Sequence, residues 1–187
     1  SQDTFYEVSQ LCPSALPNSA CGSGSGIYPG IQVYIYSGIV TFPQACTDWV
    51  ISWSSCCRNS AITTLTSTGS MYVEAGINTT LCNSSPTFTS NPTPYFCAGQ
   101  CYQYNHGAFD PDNDSLIYTM TCPLQGANNC ILNVAGLSAT QPLFTNPPNS
   151  FAFNSQTGQM SFCTQAGLAQ FAVAAVTVFQ ISNGDTV

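Results

Sequence analysis

Three of the chain's eight carboxylates, Asp110, Asp112 and Asp114, fall within five positions of "NHGAFDPDNDSLIYTM" (105–120). Like charges this close repel each other in water. A divalent cation turns that repulsion into attraction, because calcium takes about six to eight hard oxygen ligands at about 2.3–2.6 Å. The segment is not an EF-hand, since no Gly holds the turn and no Glu closes the loop. The competing reading is a solvated acidic turn before a strand, with Asp-Pro and Asn-Asp as plain turn formers.

Eleven cysteines are the second chemical signal. No CxxC pair occurs and His106 is the only histidine, so the common zinc patterns are missing. Disulfides are the better use, and they place the chain in an oxidising compartment. Short loops suggest Cys12–Cys21, Cys97–Cys101 and Cys122–Cys130, with Cys46 joining Cys56 or Cys57. Cys82 and Cys163 have no obvious partner, and spacing alone does not fix connectivity. The odd count leaves a thiol over, or a bond to another chain. A nucleophilic thiol working with His106 is poorly served by one histidine among so many half-cystines.

Other single residues read more plainly. His106 suits a hydrogen-bonded turn. Arg58 suits a fork for carbonyls or for a carboxylate such as Asp48 or Glu74, with an anionic ligand as the alternative. Trp49, Ile51 and Trp53 share one face of a strand, because side chains repeat every second residue. Core packing is the expected fate of Trp49 and Trp53; exposed, the pair would stack on sugar rings. Asp110 and Asp112 as paired catalytic acids would crowd one spot instead of flanking a substrate, so no enzyme is expected. Asn78, Asn83 and Asn113 each begin an Asn-x-Ser/Thr pattern.

The elements that position these residues are strands. Val, Ile, Thr, Tyr and Phe recur in short runs divided by Pro, Gly, Asn and Ser. Strands are expected in "IQVYIYSGIVTF" (31–42), "DWVISWSS" (48–55), "SMYVEAGI" (70–77), "SLIYTMTC" (115–122), "GQMSFC" (158–163) and "AQFAVAAVTVFQI" (169–181). "NPTPYF" (91–96) and "QPLFTNPPNS" (141–150) read as loops. The fold class that follows is all-β, as tandem immunoglobulin-like or cadherin-like β-sandwiches rich in disulfides. A boundary falls near "LCNSSPTF" (81–88), giving domains 1–83, short enough to lack an opening strand, and 84–187.

Composition narrows the function. Among 187 residues 44% are hydrophobic but 5% charged, against about 25% in an ordinary domain. The net charge is −7 with a single Lys or Arg, which argues against nucleic acid. No stretch reaches the roughly 18–20 apolar residues of a membrane span, and "SQDTFYEVSQ" has no signal-peptide character. The chain reads as a mature protein or a piece of a longer one.

Several segments resemble a known family. "AFDPDNDSLIYTM" (108–120) is similar to the Asp-Pro-Asp-Gly-Asp-Ser-Leu-x-Tyr stretch of bacterial cadherin-like and immunoglobulin-like repeats, with Asn113 in place of Gly. "CNSSPTF" (82–88) resembles a cadherin interdomain linker. With "SQLCPSALPNSAC" (9–21), "YSGIVTFPQACTDWVISWSSCCRNSAIT" (36–63), "YNHGAFDPDNDSLIY" (104–118) and "FNSQTGQMSFCTQAGLAQFAVAAVTV" (153–178), most of the chain resembles the large surface proteins of Bacteroidetes with gliding-motility-associated sorting domains. "CCRN" and "NHGAFDPD" are the most specific parts.

That resemblance implies an extracellular, adhesin-like or filament-forming protein exported by type IX secretion. It also implies a calcium ion that stiffens the chain, held by Asp110, Asp112 and Asp114 with Asn83 and Glu74 from across a domain junction. "CNSS" replaces the full acidic linker, so one ion is expected. "Asp114-Ser115-Leu116" and "Asp185-Thr186-Val187" resemble O-glycosylation acceptors. The implied partners are neighbouring domains or further copies of the chain. A carbohydrate-binding module, with surface glycans as ligands, is the alternative that Trp49 and Trp53 support.

Overall fold

The structure, a computed structural model, describes residues 2–91, 95–147, 151–182 and 184–186. Residues 92–94 and 148–150 of the two expected loops, and Val187 of the last acceptor pattern, lie outside them. The strands in chain order are β1 (Gln2–Glu7), β2 (Gln32–Tyr36), β3 (Trp49–Ser55), β4 (Met71–Ile77) and β5 (Thr87–Phe88). Then follow β6 (Cys101–Tyr104), β7 (Ala108–Phe109), β8 (Ser115–Thr121), β9 (Leu124–Gly126) and β10 (Asn129–Cys130). Last come β11 (Ala152–Phe153), β12 (Met160–Cys163), β13 (Ala175–Ser182) and β14 (Asp185–Thr186). Among the described residues there is no α-helix, only a short 3-10 turn at Leu16–Asn18. The all-β expectation holds.

The chain divides into two compact units. The first is Ser1–Gln44 with Asn91–Tyr95, and the second Ala45–Ser90 with Phe96–Val187. In the first, β1 pairs antiparallel with β2, and Phe5 stacks on Tyr34 with ring centres 5.6 Å apart. The alternation expected over 31–42 becomes a strand only as far as Tyr36. Residues 37–42 join no sheet, and Ile39 is fully exposed. Polar contacts shape the rest of this unit. Ser19 is completely buried, and its Oγ accepts from Cys21 N at 3.2 Å and Gly22 N at 2.9 Å.

In the second unit three sheets matter. β3 and β4 form a hairpin with Trp49 opposite Ile77 and Trp53 opposite Val73. β4 continues to β9 and β10, so pairing crosses positions 83 and 84, where the sequence suggested a boundary. β11, β12 and β6 form a second sheet, and β14, β13 and β8 a third. The second and third share one core. Met160 and Phe162 of β12 and Met120 of β8 are buried with Phe151 and Leu143, flanked by Tyr102, Tyr104 and Val176. Rings lock this layer: Phe96 meets Phe162 edge-on at 5.2 Å, and Phe151 stacks on Phe162 at 5.8 Å. Burial of such rings is the main stabilising term of a small β domain. Gly158, at φ +70°, lets the turn before β12 pass the Tyr118 ring, which an added Cβ would meet at 2.7 Å.

Three disulfides lie in this unit: Cys56–Cys57, Cys101–Cys163 and Cys122–Cys130. Only Cys122–Cys130 is as the short loops suggested. Cys101 bonds to Cys163 instead of Cys97 because the two stand directly opposite in the β6–β12 register, 3.9 Å apart at Cα. Cys56 and Cys57 bond to each other, which removes Cys46 from that pair. Cys12, Cys21, Cys46, Cys82 and Cys97 are thiols, so the expected Cys12–Cys21 bond is not formed. Cys46 donates its S–H to Asp48 Oδ1 at 2.7 Å.

Candidate functional site

The acidic turn sits where β7 passes into β8. Asp110 is buried, at 4% exposure, and its Oδ1 folds back over the turn to accept from Asp112 N at 2.9 Å and Asp114 N at 3.0 Å. This bond pattern and a left-handed Asn113, at φ 65°, shape the loop. Asn tolerates that conformation better than most residues. Asp112 and Asp114 point to different partners. Asp112 Oδ2 accepts from Ser84 N at 2.6 Å, and Asp114 Oδ2 from Gln180 Nε2 at 2.9 Å.

Gln180 ties the turn to the segment before β5. Its Nε2 also donates toward Asn83 Oδ1 at 3.0 Å and Ser84 O at 3.2 Å. The structure thus brings Asn83, Asp110, Asp112 and Asp114 into one hydrogen-bonded cluster. Glu74 is elsewhere, on β4, where its Oε2 accepts from the Tyr72 hydroxyl at 2.8 Å. Gln180 and the Ser84 carbonyl escaped the sequence reading. The available signal was a Gln at the inward position of β13, in line with Val176 and Val178, where an apolar residue belongs.

Among the described residues no three His, Cys, Asp or Glu side chains converge as a metal-binding group. The cluster is a mixed one, of three carboxylates with amide and backbone oxygens. Its oxygen chemistry still fits a hard cation. Asp110 Oδ2 is buried without a hydrogen-bond donor, an arrangement that ordinarily costs several kcal/mol unless something positive approaches it, about 1–3 or more for a charged group. The one fixed cation of the chain is committed elsewhere: Arg58 donates to Ser70 O and, at 2.7 Å, to Leu124 O. This is the carbonyl fork, and it clips β9 to the start of β4. Burial lowers the Arg58 pKa from its usual value.

His106 belongs to the neighbouring packing rather than to the cluster. It meets the Tyr104 ring edge-on at 5.2 Å and Phe88 at 6.4 Å, and burial holds its pKa below the ordinary 6.5. Burial likewise raises the Tyr104 and Tyr118 hydroxyls. The tryptophans differ from expectation. Trp53 is 51% exposed and Trp49 half-buried, with Ile51 and Val73 also exposed on that face. β3 is the edge strand of its sheet, and the apolar face of β3 and β4 is not part of the buried core.

No family model, characterised protein or solved structure matches the chain. Among the described residues no helix is long and apolar enough to cross a membrane.

Proposed function

We propose that this chain is an extracellular structural or adhesive module of a large bacterial surface protein or filament. In this reading it is built from tandem sandwiches, exported by type IX secretion, and stiffened by disulfides and one calcium ion. The observation that carries it is the pairing of three disulfides with an all-β fold in which 5% of the residues are charged. Cross-links suit an oxidising exterior. Asp110, Asp114, Asn83 and the Ser84 carbonyl would hold the ion, with Asp112 fixing the 83–84 segment. The ion would supply charge neutralisation, not reactivity.

The experiment is light scattering at high concentration, with non-reducing gels and thermal melting in calcium against chelator. Assembly or interchain disulfides, and a calcium-dependent rise in melting temperature that Asp110→Asn with Asp112→Asn abolishes, are expected. For one site the rise grows as RT ln(1 + [L]/Kd). Monodisperse monomers that ignore chelator would overturn the reading.

A glycan-binding module is the second reading, and the half-exposed Trp53 beside Ile51 and Val73 favours it. Glycan-array binding lost in Trp53→Ala would support it; an array without signal would dispose of it.

A further inference from the structure

Gln180 carries a role that neither the acidic turn nor the disulfides supply. Its side chain is 4% exposed. A single amide nitrogen faces three acceptors: Asp114 Oδ2 at 2.9 Å, Asn83 Oδ1 at 3.0 Å and Ser84 O at 3.2 Å. An NH2 group has two hydrogens, so the three oxygens must share them. The buried Oδ2 of Asp110, in the same turn, has no donor at all. The cluster therefore lacks donors and positive charge on two separate counts.

We infer that the Gln180 amide is the built-in competitor of a divalent cation: its nitrogen and the ion contend for Asp114 Oδ2, Asn83 Oδ1 and Ser84 O. This rests on the reading of the cluster as a calcium site. Three oxygens at 2.9–3.2 Å from one nitrogen form a shell somewhat wider than the about 2.3–2.6 Å of calcium–oxygen bonds. A cation entering there needs the amide to release them, by swinging out or by turning its Oε1 inward. While the amide stays, the oxygens are held apart and partly satisfied, so the 83–84 segment keeps its place without an ion. The cost is affinity, because the ion must first displace hydrogen bonds that include one to a carboxylate.

Two substitutions separate competitor from ligand. Gln180→Leu removes the donor and adds no oxygen. Gln180→Glu removes the donor and adds a carboxylate. The full chain and both variants are titrated with calcium chloride by isothermal calorimetry and melted in calcium and in EDTA, with circular dichroism confirming the fold. Gln180→Leu is expected to melt lower than the wild type in EDTA, to bind calcium about tenfold tighter, and to show the larger calcium-induced rise, since ligand binding adds to stability by mass action. Gln180→Glu is expected to bind tighter still.

Wild-type binding with equal or weaker binding by Gln180→Leu overturns the competition and leaves the calcium reading standing. A silent wild type with binding by Gln180→Leu supports the competition and removes calcium from the native protein, whereas binding by Gln180→Glu alone, with Gln180→Leu folded and silent, overturns the competition. Silence in all three overturns both. Should Gln180→Leu fail to fold, Gln180→Glu carries the comparison: binding no tighter than the wild type overturns it.

Discussion

The unit Ala45–Ser90 with Phe96–Val187 holds the buried apolar core and the three disulfides, while the unit Ser1–Gln44 with Asn91–Tyr95 buries Ser19 alone among its described residues. Both draw on the same strand-forming residue types. The difference lies in what covers the strands. β12 and β8 bury Phe162, Met160 and Met120 in one cluster, which removes their apolar surface from water. β1 and β2 are a two-stranded ribbon with Phe5, Tyr34 and Tyr36 exposed, and a lone ribbon is marginal in water. Hydrogen bonds do the holding there. Ser9 Oγ donates to Glu7 Oε1 at 2.6 Å and accepts from Ile31 N at 2.8 Å. The Ser19 and Ser9 hydroxyls lower the Glu7 pKa. One unit rests on burial and cross-links, the other on polar contacts.

The contrast can be broken at its strongest point first. Phe162→Ala removes the ring that touches Phe96, Tyr102 and Phe151. It should cost about 3–5 kcal/mol, read as a lower denaturation midpoint of the second unit, with amide exchange in β1–β2 unchanged. Equal loss in both units would mean that they do not fold on separate terms. Changing Cys101 and Cys163 together to Ser opens a link spanning 62 residues. A loss of about 2–4 kcal/mol is expected, and a reductant should lower the wild type by more than it lowers the double variant, which keeps Cys56–Cys57 and Cys122–Cys130.

Smaller effects sharpen the other side. Ser19→Ala strips Cys21 N of its acceptor and leaves Gly22 N with the Ser19 carbonyl alone, which should cost about 1–3 kcal/mol and speed amide exchange most at Cys21. A variant indistinguishable from the wild type would deny the polar account of this unit. The smallest effect is that of pH. Burial holds the His106 pKa below 6.5 in the folded chain, so the unfolded chain takes up the proton first on acidification. The contribution of this residue is therefore fully present above about pH 6.5 and is lost as pH falls through the depressed folded value. His106→Phe should flatten that part of a stability-against-pH curve measured by chemical denaturation.

How far these features were legible in the sequence varies with their range. Period-two alternation located β3, β4, β8 and β12 to within two residues, because each side chain's face is a local property of extended backbone. The same alternation overran in 37–42, where no neighbouring strand completes the ladder. "CYQY", which became β6, is too short to announce itself and owes its strand to pairing with β12. The acidic turn was plain in its spacing, and Asn83 joins it through the Gln180 amide. Glu74 did not, since β4 carries it into the sheet with β3 and β9.

Composition and short-range pattern established an all-β chain, poor in charge and rich in cysteine, with three of its eight acids in one turn. Those are counts and short-range patterns, and physical chemistry acts on them wherever the chain goes. Tertiary structure decided that Cys101 meets Cys163, that Trp53 stays half in water, and that Gln180 reaches across to Asp114 and Asn83. Each depends on which strands lie side by side. Register is set by the summed burial of distant residues, a quantity that no local window contains.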